Sequence, residues 1–216
     1  MKVGVFDSGI GGLSVAQAIE RALPDMQVVF RHDNPDHFPY ATKEPSQIYG
    51  YVVPVLQSLV RDGCEVIVIA CNTVSTTLIK QLRDVFAVPL IAVEPMIELA
   101  ATSSTRGIIA VCATPTTLAS QHYAELKHLY AQGITVVEPD CANWSLLIER
   151  NEMNKATIHQ DLQPALAAGA DIVVLGCTHY HWIEDEIRSI MGPNVQIIQP
   201  ETAVIEQLKQ VLVRLP

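Results

Sequence analysis

Apolar residues recur along this chain in short runs that polar residues do not interrupt. Lys2–Phe6, Val28–Arg31, Glu65–Ala70, Leu90–Val93, Gly107–Cys112, Thr135–Glu138, Asp171–Leu175 and Val195–Ile198 each read as a strand. A strand with one wet face alternates apolar and polar side chains, so an unbroken run belongs to a strand covered on both sides. Stretches of helical character lie between the runs, among them Leu13–Ala22, Ser46–Arg61 and Thr116–Tyr130. Strand and helix alternating over the whole length predict an α/β fold, with mostly parallel sheets and helices on both faces.

The two halves of this pattern match. Gly4-Val5-Phe6-Asp7-Ser8 lies 106 residues before Ala110-Val111-Cys112-Ala113-Thr114, and the same separation links Cys71 to Cys177. Leu90–Pro95 and Gln196–Pro200 keep nearly that offset. Such internal repetition predicts two related lobes with a cleft between them. Proline after a strand suits a turn out of the sheet, which puts the crossings at Glu94-Pro95 and Gln199-Pro200. The expected first lobe is 1–93 plus 200–216, carrying Asp7, Ser8 and Cys71. The expected second lobe is 94–199, carrying Thr114, Cys177 and His179.

Composition narrows the function classes. With 216 residues, 49% of them hydrophobic, the chain can bury a sizeable core. No apolar stretch approaches the roughly 18 residues of a membrane span. The start, Met1–Asp7, reaches an aspartate too soon for a secretory signal, so a cytoplasmic location is expected. A net charge of −9 with no basic run argues against nucleic acid as a partner. The five cysteines are odd in number and none are spaced C-x-x-C, which argues against a disulfide framework or a zinc ribbon. Cys64, Cys112 and Cys141 read as small buried hydrophobes. Cys71 and Cys177 differ, because each ends an apolar run and polar residues follow at once.

Three motifs at strand ends carry candidate chemistry. Asp7-Ser8-Gly9-Ile10-Gly11-Gly12-Leu13-Ser14 is a glycine-rich turn between strand and helix. Ser14 stands where a dinucleotide fingerprint needs its third glycine, and Asp7 would repel a pyrophosphate. An acidic side chain there suits a substrate ammonium group instead. In Cys71-Asn72-Thr73, the thiol precedes a helix whose start favours a thiolate, and Asn72 and Thr73 can cap it or donate to a carboxylate. In Cys177-Thr178-His179-Tyr180-His181, His179 can polarise the thiol or protonate a substrate oxygen. Cys177, His179 and His181 alternate, so an extended backbone would set them on one face. No comparable ligand set adjoins Cys71, however, and we expect no metal. His181 reads as a solvated residue at a helix start. Asp33–Lys43 reads as a proline-broken polar loop suited to covering a site. Glu149, judged alone, reads as helix surface.

With Phe6–Leu13, Ala70–Thr73, Gly176–Tyr180, Pro39-Tyr40-Ala41 and Ala113–Thr117, the chain resembles the glutamate racemases of the cofactor-independent aspartate/glutamate racemase superfamily. The resemblance spans nearly the whole chain, in order. It implies two pseudo-symmetric Rossmann-like lobes with the active site between them, no cofactor, a small amino-acid substrate and often a homodimer. It further implies that Cys71 and Cys177 are two bases, one taking the α-proton while the other donates to the opposite face. Asp7, His179 and Glu149 would assist them. Ser8, Pro39, Tyr40, Ala41, Asn72, Thr73, Thr114, Thr117 and Thr178 match substrate-contacting positions. The expected product, D-glutamate, would serve peptidoglycan. Ala41 replaces the family's glycine, and His181 its usual proline. Those departures favour, as alternatives, an aspartate or broader amino-acid racemase or a non-catalytic glutamate-binding homologue.

Overall fold

In a computed structural model, residues 1–214 are described. The chain divides into two compact units, Met1–Glu94 with the segment from Pro200 onward, and Pro95–Gln199.

The first unit holds strands β1 (Lys2–Asp7), β2 (Gln27–His32), β3 (Val66–Ile69) and β4 (Leu90–Ala92), all parallel, in the order β2-β1-β3-β4. Helices α1 (Leu13–Ala22), α2 (Pro45–Arg61) and α3 (Asn72–Val85) connect them. The second unit begins with α4 (Ile97–Ser103) and continues through β5 (Ile108–Ala113), α5 (Pro115–Leu118), α6 (Gln121–Tyr130) and β6 (Thr135–Val137). Then come α7 (Trp144–Glu149), α8 (Lys155–Asp161), α9 (Gln163–Ala168), β7 (Ile172–Gly176), α10 (Glu184–Met191) and β8 (Gln196–Ile198). Its parallel sheet has the order β6-β5-β7-β8. The chain closes with α11 (Glu201–Leu212) in the first unit.

Why the strand runs show no polar alternation is visible in the packing. Along β3, Val66 and Val68 face a core with Val15, Ile19, Val204 and Leu208 from α1 and α11. Ile67 and Ile69 face the opposite core, with Val52, Leu56, Val74 and Leu78 from α2 and α3. In the second sheet, Val173 and Leu175 pack against Trp144, Ile158 and Ile187, while Ile172 and Val174 pack with Ile97 and Tyr123. Every residue of β3 and β7, one inner strand from each sheet, is buried, so an apolar residue is favoured at each position whichever way it points.

The internal repeat is a repeat of register. Val3 pairs with Val66 and Ile109 with Ile172, so both partners move by the same 106 residues from one sheet to the other. The outer strands keep the order but not that offset. Val28 stands beside Val3, whereas Val136 stands beside Ile109. The connecting helices differ in length, and only the central pair of strands holds the spacing.

One expected helix is divided. Thr116–Tyr130 breaks into α5 and α6 at Ala119-Ser120. Ser120 adopts an extended conformation and its hydroxyl accepts from the Tyr123 amide, which starts a new helix. A mid-helix serine and a helix cap look alike in sequence. Among the described residues, no helix is long and apolar enough to cross a membrane.

Candidate active site

Both cysteines singled out in the sequence stand at the carboxyl end of the second inner strand of their own sheet, where open α/β sheets offer their ligand crevices. Cys71 follows β3 and is the residue before the first turn of α3. Its thiol is buried and donates to the Ser8 hydroxyl at 3.3 Å. Ser75 turns its hydroxyl back onto the Ile69 carbonyl at 3.1 Å and satisfies the strand end. Asn72 is 3% exposed, yet neither its amide nitrogen nor its oxygen has a hydrogen-bond partner among the described residues. Such a group is costly to bury unless a ligand completes it. At the first turn of a 14-residue helix, it stands beside amide N–H groups that favour an anion.

Asp7 ends β1 fully buried, and its carboxylate accepts from the Gly12 amide at 2.7 Å. That bond folds the glycine-rich turn back onto the aspartate. A Cβ at Gly12 would lie 2.6 Å from the Asp7 Cβ, so the turn has room only for glycine there. The backbone of Asp7 also accepts from the Asp33 amide at 3.2 Å, which joins the start of the Asp33–Lys43 loop to the same corner.

This loop is less polar in place than in sequence. It forms two short 3-10 turns, Pro35–His37 and Tyr40–Thr42, on either side of a cis Phe38-Pro39 bond, and buries Tyr40 and Ala41. Buried Asp33 accepts from the Tyr40 hydroxyl at 2.6 Å and pairs with His37 Nδ1 at 2.9 Å. The His37 ring stacks on Tyr51, centroids 3.8 Å apart. Burial, then the hydrogen bond to Asp33 and its charge, push the Tyr40 phenol far above its ordinary pKa, with smaller pushes from Cys71 and Asp7. Tyr40 is therefore a fixed neutral donor. Asp33, its anchor, was not among the residues singled out; its only sequence signal is a position at the end of a strand.

In the second unit, Cys177 follows β7 with its backbone still extended, and Thr178–Ile183 turn at once into a 3-10 helix. The turn overrides the alternation of Cys177, His179 and His181 expected from an extended chain. His181 lies inside the 3-10 helix, half-buried, rather than solvated at a helix start. His179 is buried, with Nδ1 3.9 Å from the Cys177 sulfur and Nε2 2.7 Å from Glu149 Oε2. The helix-surface reading of Glu149 is corrected by that hydrogen bond. Glu149 ends α7 with its side chain 25% exposed, and its carboxylate reaches the imidazole from 30 residues away in sequence. With Glu149 accepting from Nε2–H, the Nδ1 lone pair faces the thiol and can take its proton. A Cβ at Gly176 would lie 2.9 Å from the Ala113 Cβ, so glycine lets β5 and β7 close up beneath the cysteine.

The remaining expected residues fall at the same strand ends. Thr114 caps α5, accepting from the Thr117 amide, and the two hydroxyls bond at 3.0 Å. Thr73 and Thr178 are buried in the first turns after their cysteines. Each sheet therefore presents one thiol with polar company, Ser8 for Cys71 and the His179–Glu149 pair for Cys177. Cys64, Cys112 and Cys141 are buried in the same hydrophobic clusters as these two thiols.

A family model described as Asp/Glu/Hydantoin racemase matches residues 3–208. The chain is 39% identical over 214 residues to a glutamate racemase of Ralstonia nicotianae, covering 97% of this chain and 77% of that protein. It is similar to the crystal structure of Escherichia coli glutamate racemase in complex with L-glutamate and the activator UDP-MurNAc-Ala. There the TM-score is 0.91 at 30% identity, over 98% of this chain and 82% of the other. A glutamate racemase from Bacillus anthracis superposes with a TM-score of 0.84 at 26% identity, over 98% and 81%.

Proposed function

This chain belongs to the Asp/Glu/Hydantoin racemase family, and from that membership we propose that it interconverts L- and D-glutamate without a cofactor, using Cys71 and Cys177 as its two bases. The observation that supports this most is the equivalent placement of two buried thiols at the ends of β3 and β7, strands whose pairing with β1 and β5 has the same register. A reaction that inverts one carbon needs one acid/base group for each face of it, and a duplicated fold supplies two of a kind.

In the proposed reaction one cysteine, as thiolate, removes the α-proton. The planar carbanion then takes a proton from the thiol of the other. Sulfur, carbon and proton balance, and the enzyme ends with the protonation of its thiols exchanged. The carbanion must be stabilised by preorganised donors in a site that excludes water. Asn72, with its unsatisfied amide at the start of α3, is suited to the α-carboxylate. Asp7 serves the Cys71 side and is suited to the ammonium group. The His179–Glu149 pair serves the Cys177 side, drawing the thiol proton onto Nδ1 in one direction and returning it in the other. Ser8, Pro39, Tyr40, Ala41, Thr73, Thr114, Thr117 and Thr178 are assigned to substrate contact on family resemblance. On the same ground we assign the D-glutamate to peptidoglycan and the protein to the cytoplasm.

The test follows solvent deuterium into glutamate by NMR, beside polarimetry. Deuterium should enter the α-position as optical rotation decays, and Cys71→Ser or Cys177→Ser should stop racemisation. Exchange with aspartate but not glutamate would overturn the substrate, and full activity in Cys177→Ser would overturn the two-base scheme.

A further inference from the structure

Glu149 can serve His179 only if its carboxylate is held in place, and its own helix is too short to do that. The α7 helix has six residues, well under the length of about 12 to 15 at which an isolated helix becomes even marginally stable. Trp144, five positions before Glu149, ties it to its surroundings. The indole is 1% exposed, and its Nε1–H donates to Asp161 Oδ2 at 2.7 Å, at the end of α8. Its ring meets Tyr180 edge-on, with centroids 5.1 Å apart. Tyr180 follows His179 directly, and its hydroxyl donates to the Cys141 carbonyl at 2.9 Å. The Trp144 amide donates to that same carbonyl at 3.1 Å. One indole thus joins the segment carrying Glu149 to the segment carrying Cys177 and His179, and moors both to α8.

Resting on the two-base reading above, we propose that Trp144, moored by Asp161, is a positioning residue for the Glu149–His179–Cys177 relay and so tunes one of the two sulfurs and not the other. A one-sided role has a kinetic signature that general damage lacks. When only Cys177 is impaired, abstraction by Cys177 becomes slower for the enantiomer it deprotonates. The α-deuterium isotope effect on kcat/KM for that enantiomer rises. For the opposite enantiomer, return of a proton from Cys177 becomes the slow step, and that proton does not come from the substrate. The isotope effect there falls.

The experiment compares full-length wild type, Trp144→Phe, Asp161→Ala and Asp161→Asn. Phenylalanine keeps an aromatic ring against Tyr180 and removes the N–H. Asparagine keeps an oxygen that can accept it. Trp144→Phe and Asp161→Ala should each lower kcat about 10- to 100-fold in both directions, with the two isotope effects diverging. Asp161→Asn should lose less than Asp161→Ala. In parallel, 15N NMR of histidine-labelled protein should show the His179 Nε2–H bonded to Glu149 in the wild type and weakened in Trp144→Phe. Isotope effects that keep their wild-type values, or an unchanged Nε2–H signal, would overturn the positioning role. If the wild type racemises no glutamate, the proposed reaction fails instead, and the NMR comparison alone decides the role of Trp144. If Trp144→Phe does not fold, Asp161→Ala carries both measurements.

Discussion

Asp7 illustrates how one side chain is asked to do two things. Its carboxylate is assigned to the substrate side of the reaction, yet one oxygen is committed to the Gly12 amide. The turn and the acid therefore stand or fall together. Gly12→Ala should test this, because the new methyl would press on the Asp7 side chain and on Phe30, 3.1 Å away. We expect a loss of about 1–3 kcal/mol in urea unfolding, with a larger fractional loss of kcat than Ser14→Ala, whose hydroxyl donates to the Gly11 carbonyl at 3.1 Å. Equal losses of activity in both variants would separate the turn from the acid. At this scale the sequence told less than at any other. The thiols were legible because each broke an apolar run with polar residues. Glu149 was legible only through the family resemblance and not from its surroundings, because a carboxylate at the end of a short helix has the same local pattern whether it faces water or an imidazole 30 residues on. Asp33 and Trp144 were hidden for the same reason: their partners, Tyr40 and Asp161, are set by packing and not by spacing.

At the scale of elements, the eight strands were legible within a residue or two, since strands buried on both faces leave unbroken apolar runs. Helix α1 was legible to its ends, with a glycine turn before it and Leu23-Pro24 after it. The Thr116–Tyr130 stretch misled, because apolar periodicity runs on through the break while the hydrogen bonds do not. Ser120 is what divides it, accepting from the Tyr123 amide at 3.2 Å and donating to the Thr117 carbonyl at 2.7 Å. Ser120→Ala should cost about 1 kcal/mol of stability, read as a lowered midpoint in thermal unfolding. Ser120→Asp, which can also cap, should recover most of it. A neutral alanine variant would mean that α5 and α6 are separated by packing against β5 rather than by the cap.

At the scale of the molecule, Asp171 ties acid stability to one turn. Burial alone raises its pKa, but donors from Ser104, Thr105 and the Arg106 amide outweigh it and hold the carboxyl at about 2, against an ordinary 3.8. The bonds run from 2.6 to 2.9 Å and pin the turn after α4 to the start of β7. Because the folded state holds this carboxylate below its unfolded value, the stabilisation is complete above about pH 4 and is lost as pH falls through 2. Asp171→Asn leaves those donors a poorer acceptor. Its unfolding midpoint should lie below the wild type's by a constant margin from pH 7 down to about 4, and the margin should close below pH 3. The turn lies at the amino end of β7, away from Cys177 at its carboxyl end, so racemisation at neutral pH should be little changed. A margin that persists undiminished to pH 2 would mean that the aspartate's charge contributes nothing beyond its shape.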